Sequence, residues 1–393
     1  MSFCRCRFFR LCALVAAAPL LLAAGCTDQF RIITTPVFTP TANPVSSQRS
    51  IEVNFNGGAA GTAVVVDLQA DAVLGIFDVG AGPVSVAANS NGSFMYTANQ
   101  NGDSVSALST SLPGGAPSNT ITLPAGSHPS FITSPNLVNT YVANPGNGTV
   151  SVISQGLQAL VNTVAVGANP IWIQGSNDNS KIYVLNQGSG TVTVVSTSDF
   201  SVLSTLPVGA SPVMSVISPS GLLFVANQGS NSISVIDTST DTVGPPLPVG
   251  AAPSAMTFDT TLNRLYVVNS GSNSVSVFKA DVNPPTLLKT VTVGTSPVGV
   301  TAIADGTRIY VANSGSNNVS VIDTGSLTVT KTIAVGTTPS QITSGSDGLR
   351  ILVLNSGSND MTFIQTSNDS VVLTTPLPQG SSSPKSVATF SFT

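Results

Sequence analysis

Tyr310-Val311-Ala312-Asn313, then Ser314-Gly315-Ser316-Asn317, then Asn318-Val319-Ser320-Val321-Ile322, is the stretch that decides the fold. The first four residues are β-formers closed by an asparagine. The next four are turn residues. The last five alternate polar and apolar with β-branched side chains, the period of a strand with one buried face. A polar turn beginning Asp323-Thr324 and a further strand running to Val335-Gly336 complete one unit.

The same unit recurs along the chain. Asn99, Asn144, Asn186, Asn227, Asn269, Asn313 and Asn355 each close the equivalent of the first four residues, at spacings of 45, 42, 41, 42, 44 and 42. A period in the forties marks blades or arrays. A Gly-x-x-Pro motif opens each repeat, as at Gly80 to Pro83, Gly167 to Pro170, Gly250 to Pro253 and Gly336 to Pro339. Four short strands per repeat with no helical stretch between them describe a β-propeller blade. A single blade cannot bury both of its faces, whereas stacked blades can.

The two ends supply the remaining unit. Ile51 to Asn56 fits the Tyr-Val-Ala-Asn slot, and Thr62–Leu68 and Val73–Val79 fill the third and fourth strands. At the other end Lys385 to Phe392 follows a last Gly-to-Pro motif, at Gly380 to Pro384, and forms one strand. Residues 50–393 number 344, which is eight periods of 43. The fold expected is therefore all-β: a propeller of four-stranded blades, eight in number with seven as the alternative. Three N-terminal strands and one C-terminal strand close the ring, and closure removes aggregation-prone edges.

Composition agrees. Only 8% of the 393 residues are charged, while hydrophobic residues reach 41%. A charge-rich disordered tail, a coiled coil and a basic nucleic-acid binder are excluded. The chain has one Glu (Glu52), one His (His128) and one Trp (Trp172), which starves most acid–base and metal chemistry.

The N-terminus gives an address. Arg5, Arg7 and Arg10 precede an apolar run from Leu11 to Ala24, the layout of a secretory signal. The run ends Leu21-Leu22-Ala23-Ala24-Gly25-Cys26, which resembles the lipobox of bacterial lipoproteins, with Ala23 at the position usually held by Leu. That resemblance implies diacylation of Cys26 as the first mature residue. Of the four cysteines, Cys4, Cys6 and Cys12 leave with the signal, so no internal disulfide can form. Losing Arg5, Arg7 and Arg10 leaves 10 basic against 17 acidic side chains, a mature charge of −7. Residues 1–25 are thus expected to be a signal peptide and 26–49 a lipidated cysteine with a Pro/Thr/Ser-rich tether, as a flexible coil spanning about 25–30 Å. The propeller takes 50–393. Thr27 in place of Asp implies the outer membrane in a cell with two membranes, and the cell membrane otherwise.

At this point a family becomes visible. Tyr310-Val311-Ala312-Asn313, Val321-Ile322-Asp323-Thr324 and Val335-Gly336-Thr337-Thr338-Pro339 closely resemble the YVTN-type β-propeller repeat of bacterial and archaeal surface and periplasmic proteins. The resemblance covers nearly all of 50–393 and implies the fold. The family commonly has seven blades, one fewer than counted here.

Sites are expected where the repeat breaks. The seven repeated asparagines read as structural turn residues, since Asn bonds nearby backbone and tolerates left-handed conformation. Asp237 and Asp323 read the same way. The first strand of a blade lines the channel, and the second residue after each proline should face it: Ser85, Phe131, Trp172, Met214, Ala255, Gly299, Gln341 and Ser386. Phe131, Trp172 and Met214 fall on three consecutive blades and should form an apolar arc, with His128 and Asn169 near its rim. This arc is the candidate binding spot at a channel mouth; the alternative is that bulky side chains simply plug the channel.

No catalytic residues, metal site or cofactor are expected. The leading function is a binding or protein-interaction module whose partner is an envelope protein or small ligand. It should touch the membrane only through the lipid, bind no nucleic acid and be a monomer. The alternatives are a propeller enzyme of lactonase or quinoprotein type and a structural cell-surface protein.

Overall fold

Short antiparallel strands account for the regular structure among the described residues, apart from one 3-10 turn at Gln100–Gly102. The computed structural model describes residues 48–391, except 57–58, 68–71, 90, 111–113, 137, 282, 346–347 and 378–383. The expected signal peptide, Cys26 and nearly all of the expected tether lie outside the described residues. No helix among the described residues is long and apolar enough to cross a membrane.

The described strands form eight sheets. In seven of them the order is that of the chain. One such sheet pairs Pro297–Ala302, Arg308–Asn313, Asn318–Asp323 and Thr328–Ala334 successively. In another, Pro245 and Pro246 split the outer strand into Thr242–Val243 and Leu247–Pro248, because proline offers no ladder donor. The remaining sheet runs Ala72–Ala81, Ala59–Asp67, Gln48–Asn56 and then Pro384–Ser391. There the last strand pairs antiparallel with the first, from Gln48↔Ser391 to Asn54↔Pro384. This is the β-propeller arrangement of radial four-stranded sheets.

Apolar packing runs between sheets. Eight clusters of buried residues each bridge two successive sheets. One joins Leu352, Leu354, Met361 and Phe363 to Val64, Val66 and Val387, so it links the 339–376 sheet to the sheet holding both chain ends. The inner strands touch their neighbours in turn, and Pro384–Ser391 touches both Pro339–Ser344 and Pro83–Ala88.

The alternating strands differ from expectation. Their polar face is not solvated: Ser106, Ser151, Ser234, Ser276 and Thr362 are buried, as are the apolar residues between them. Each such strand sits between two packed neighbours, so period-2 alternation here separates two interior faces.

Polar clasps also cross between sheets. Lys181 Nζ donates to Asp241 Oδ2 at 2.8 Å, and the Tyr183 hydroxyl donates to Asp241 Oδ1 at 2.7 Å. Further along the chain, Arg308 and Tyr310 both donate to Asp369 Oδ1. Both aspartates occupy left-handed turn positions (φ 52° and 55°) on the adjacent sheet.

All five tyrosines are fully buried, and burial pushes every phenol above its ordinary value of 10, Tyr96 to about 12. A folded-state value raised this way stabilises the protein fully below pH 10; the contribution drains away as pH climbs through the raised values. Alkaline titration should therefore show no tyrosinate absorbance at the ordinary midpoint. Absorbance should rise together with loss of β circular dichroism, and phenols ionising near pH 10 in the folded chain would refute this.

Candidate functional site

The seven repeated asparagines end their strands fully buried. The turn-chemistry expectation for them is corrected. Each Nδ2 donates to the side chains five and seven residues on, at 2.6 to 3.3 Å: Asn99 to Ser104 and Ser106, Asn186 to Thr191 and Thr193, Asn355 to Asp360 and Thr362. Asn144, Asn227, Asn269 and Asn313 make the same pair of bonds. The left-handed residue of the hairpin lies four positions later, at Asp103, Gly148, Gly190, Asn231, Asn273, Asn317 and Asn359.

The asparagine also explains the motif glycine. A Cβ on Gly167 would lie 2.6 Å from Asn186 Cγ, and one on Gly250 would lie 2.7 Å from Asn269 Cγ. Glycine and asparagine, nineteen residues apart in both cases, are two halves of one contact. The half-buried Asp237 and Asp323 do behave as turn residues, each accepting from a nearby serine hydroxyl and amide, which holds both carboxyls below their ordinary value.

The residue two after each proline lies at the seam between successive inner strands. Ser85 Oγ accepts from the Ile132 amide at 3.3 Å, Met214 Sδ from the Met256 amide at 3.3 Å and Gln341 Oε1 from the Val387 amide at 2.6 Å. One seam carries rings on both strands. Phe131 and Trp172 stack with centroids 4.2 Å apart and planes 28° apart.

This pair lines a pocket of about 310 Å³, together with Thr133, Gln174, Ser176 and Asn177 among others. The pocket lies toward the C-terminal ends of the two inner strands. Of the three-residue apolar arc expected from the sequence, with His128 and Asn169 at its rim, only Phe131 and Trp172 line the pocket. Met214 lies at the seam after next, between the 212–248 and 253–292 sheets, packs against the cluster that includes Ala255 and Val268, and does not line the pocket.

His128 and Asn169 stand at the opposite end of the inner strands, in left-handed conformation just before proline (φ 45° and 53°). The His128 amide donates to Asp103 Oδ1 at 2.7 Å, and Asn169 Nδ2 donates to Gln187 Oε1 at 2.8 Å. Both thus secure strand entry, close to the stack in sequence but a strand length away from the pocket.

Thr133, Gln174, Ser176 and Asn177 are additions that the sequence reading lacks. Thr133 and Gln174 carry a signal, since they follow Phe131 and Trp172 by two and so share their side of the strand. No titratable side chain lines the pocket among the described residues. The neighbouring Asp178 is exposed, and hydroxyl and amide donors from Ser176 and Ser180 hold its carboxyl down at about 2, so it is no base at neutral pH. Among the described residues, no three His, Cys, Asp or Glu side chains gather where a metal ion could be held.

Two family models match parts of the chain: a YNCE-like beta-propeller over residues 214–392, and a 7-bladed lactonase beta-propeller over residues 136–245. No curated protein matches. Among solved structures, apo AztD from Citrobacter koseri is similar at 12% identity, covering 88% of this chain and 99% of that one, with a TM-score of 0.64. A putative 6-phosphogluconolactonase from Bacteroides fragilis is similar at 15% identity, over 88% and 99%, with a TM-score of 0.61. Dihydro-heme d1 dehydrogenase NirN is similar at 11% identity, over 87% and 75%, with a TM-score of 0.72. The lactonase-like matches do not support the expectation of a non-catalytic chain. At these identities the likeness is one of fold, and the chain is a β-propeller.

Proposed function

We propose that this chain is an extracytoplasmic binding module: an eight-bladed YVTN-type propeller, tethered through residues 26–49 to a bilayer by lipid on Cys26. Its ligand site is the pocket beside Phe131 and Trp172. One observation carries the reading. Among the described residues, the seam with two stacked rings is also a seam with a pocket, and polar groups line it without any acid or base. Ligand pockets typically have that make-up, an apolar wall with a few placed polar groups, and roughly 300–1,000 Å³ of room. The N-terminal signal and Cys26 support the address, and the partner is a small ligand or an envelope protein.

A lactonase-type hydrolase is the second reading. The family match over 136–245 favours it, because that stretch contains Trp172, Gln174 and Asn177.

Trp172 is the only tryptophan, so its emission reports this pocket alone. Neutral small molecules, lactones included, should be titrated against that emission while lactone hydrolysis is followed. Saturable shifts without turnover, lost in Phe131→Ala, are the expected result. Turnover abolished by Gln174→Ala would establish the hydrolase reading instead. Emission that no probe moves would remove the pocket as a binding site.

A further inference from the structure

The wall of this pocket also selects a class of ligand, a selection that rests on the binding function proposed for it. The polar groups of the wall divide into committed and free. Ser176 Oγ donates to Asp178 Oδ1 at 2.7 Å and accepts from the Lys181 amide at 3.0 Å. Asn177 Nδ2 donates to the Ser218 and Pro219 carbonyls at 2.9 and 3.3 Å, which leaves its Oδ1 as an acceptor. Gln174 Nε2 is turned to the Gly175 carbonyl at 3.3 Å, leaving its Oε1 likewise. Thr133 keeps a hydroxyl that can both give and accept.

The wall therefore offers acceptors, one hydroxyl, the side-chain amide of Asn179 and the stacked pair of rings. An anion would meet carbonyl oxygens and find no cation, since none lines the pocket. A wholly apolar ligand would leave the free acceptors buried without partners, at about 1–3 kcal/mol each. A cation could use the ring faces but would have no carboxylate beside it. What fits is a neutral ring with an apolar face for the aromatics and hydroxyl donors at its edge. We infer that the ligand of this pocket is a neutral saccharide ring. A volume at the small end of ligand sites sets the number of rings at one or two.

The test uses the folded chain and Trp172 emission, with equilibrium dialysis as a second readout. The probes are the methyl glycosides of glucose, galactose and N-acetylglucosamine, maltose and cellobiose, with indole and tetramethylammonium as non-sugar comparators. At least one glycoside should bind saturably with a Kd of about 1 mM, the scale of so small a contact. Phe131→Ala should weaken it about tenfold and Gln174→Ala about fivefold. Because Phe131→Ala removes a partly buried ring, Gln174→Ala at a half-exposed position keeps the test valid if the former melts early.

A comparator that moves the emission while every glycoside fails would overturn the saccharide assignment and leave the binding site standing. Silence from all probes would overturn both. Glycoside binding that neither variant weakens would place the sugar elsewhere and overturn the assignment here.

Discussion

Ending the chain at Leu377, so that Pro384–Ser391 is lost, should abolish cooperative folding. That strand is the fourth of its sheet and its ladder partner is Gln48–Asn56 at the other end of the chain. Seven paired positions vanish with it. At roughly 0.5–1.5 kcal/mol net per ladder hydrogen bond, the pairing alone amounts to several kcal/mol. Val387, buried in the cluster with Leu352 and Phe363, adds about 1.5–3 kcal/mol. Total stabilities of domains lie at about 5–15 kcal/mol, so the loss is of the same size as the whole. The truncation also uncovers two inner-strand neighbours and one long edge, which invites pairing with other chains. Thermal scanning and size-exclusion chromatography check it: no cooperative transition and soluble aggregate are expected. A monomer melting within a few degrees of the full chain would contradict the pairing.

Asn269→Ala should cost about 2–3 kcal/mol, from two lost hydrogen bonds and the hydroxyls of Ser274 and Ser276 left without their donor in the interior. Asn269→Asp separates the two accounts of this residue. A turn residue accepts Asp readily, since Asp makes the same local bonds and tolerates the same backbone. The buried clasp needs the amide's donors. Asp would instead bring an unpaired charge beside two hydroxyls, with Asn269 Oδ1 already lacking a partner. Denaturant unfolding should find Asn269→Asp at least as destabilised as Asn269→Ala at neutral pH. An Asp variant as stable as the parent would restore the turn reading. Gly250→Ala should be costly for the same reason seen from the other side, because its Cβ has no room beside Asn269.

Much of the architecture is legible from Tyr310 to Ile322 and its copies. Strand-forming runs, turn residues and a fixed period are local signals, and the leftover strands at either end follow from where the period starts and stops. The asparagine clasp is also written in the chain. Ser or Thr stands seven residues after Asn99, Asn144, Asn186, Asn227, Asn269, Asn313 and Asn355 alike. Alternation hides it, because period 2 suggests one dry and one wet face, whereas neighbouring sheets bury both. The aspartates that hold Tyr183 and Tyr310 cannot be found this way. Asp241 and Asp369 lie 58 and 59 residues on, across a sheet boundary, and only packing reveals the distance.

Strand periodicity foretells which inner-strand side chains meet, and sequence adjacency does not foretell which of them reach the pocket. Phe131 and Trp172, at equivalent places on consecutive inner strands, do stack. His128 and Asn169 lie only three residues before them, yet an extended strand carries each residue about 3.3 Å along, so they occupy the far end. Met214 shares the period but lies two seams on, where its unbranched side chain packs against the cluster that includes Ala255 and Val268.

A closed eight-bladed ring requires the pairing of Gln48–Asn56 with Pro384–Ser391, and a cross-link measures it directly. In a chain expressed from Thr27 onward, which lacks all four native cysteines, Val53→Cys and Ser386→Cys would face each other in register. Mild oxidation should yield an intramolecular disulfide in the monomer and raise stability by about 4 kcal/mol, since the closed loop is long. Val53→Cys with Thr389→Cys, three positions out of register, should not cross-link. Disulfide-linked dimers only, or equal cross-linking of the two pairs, would contradict the ring.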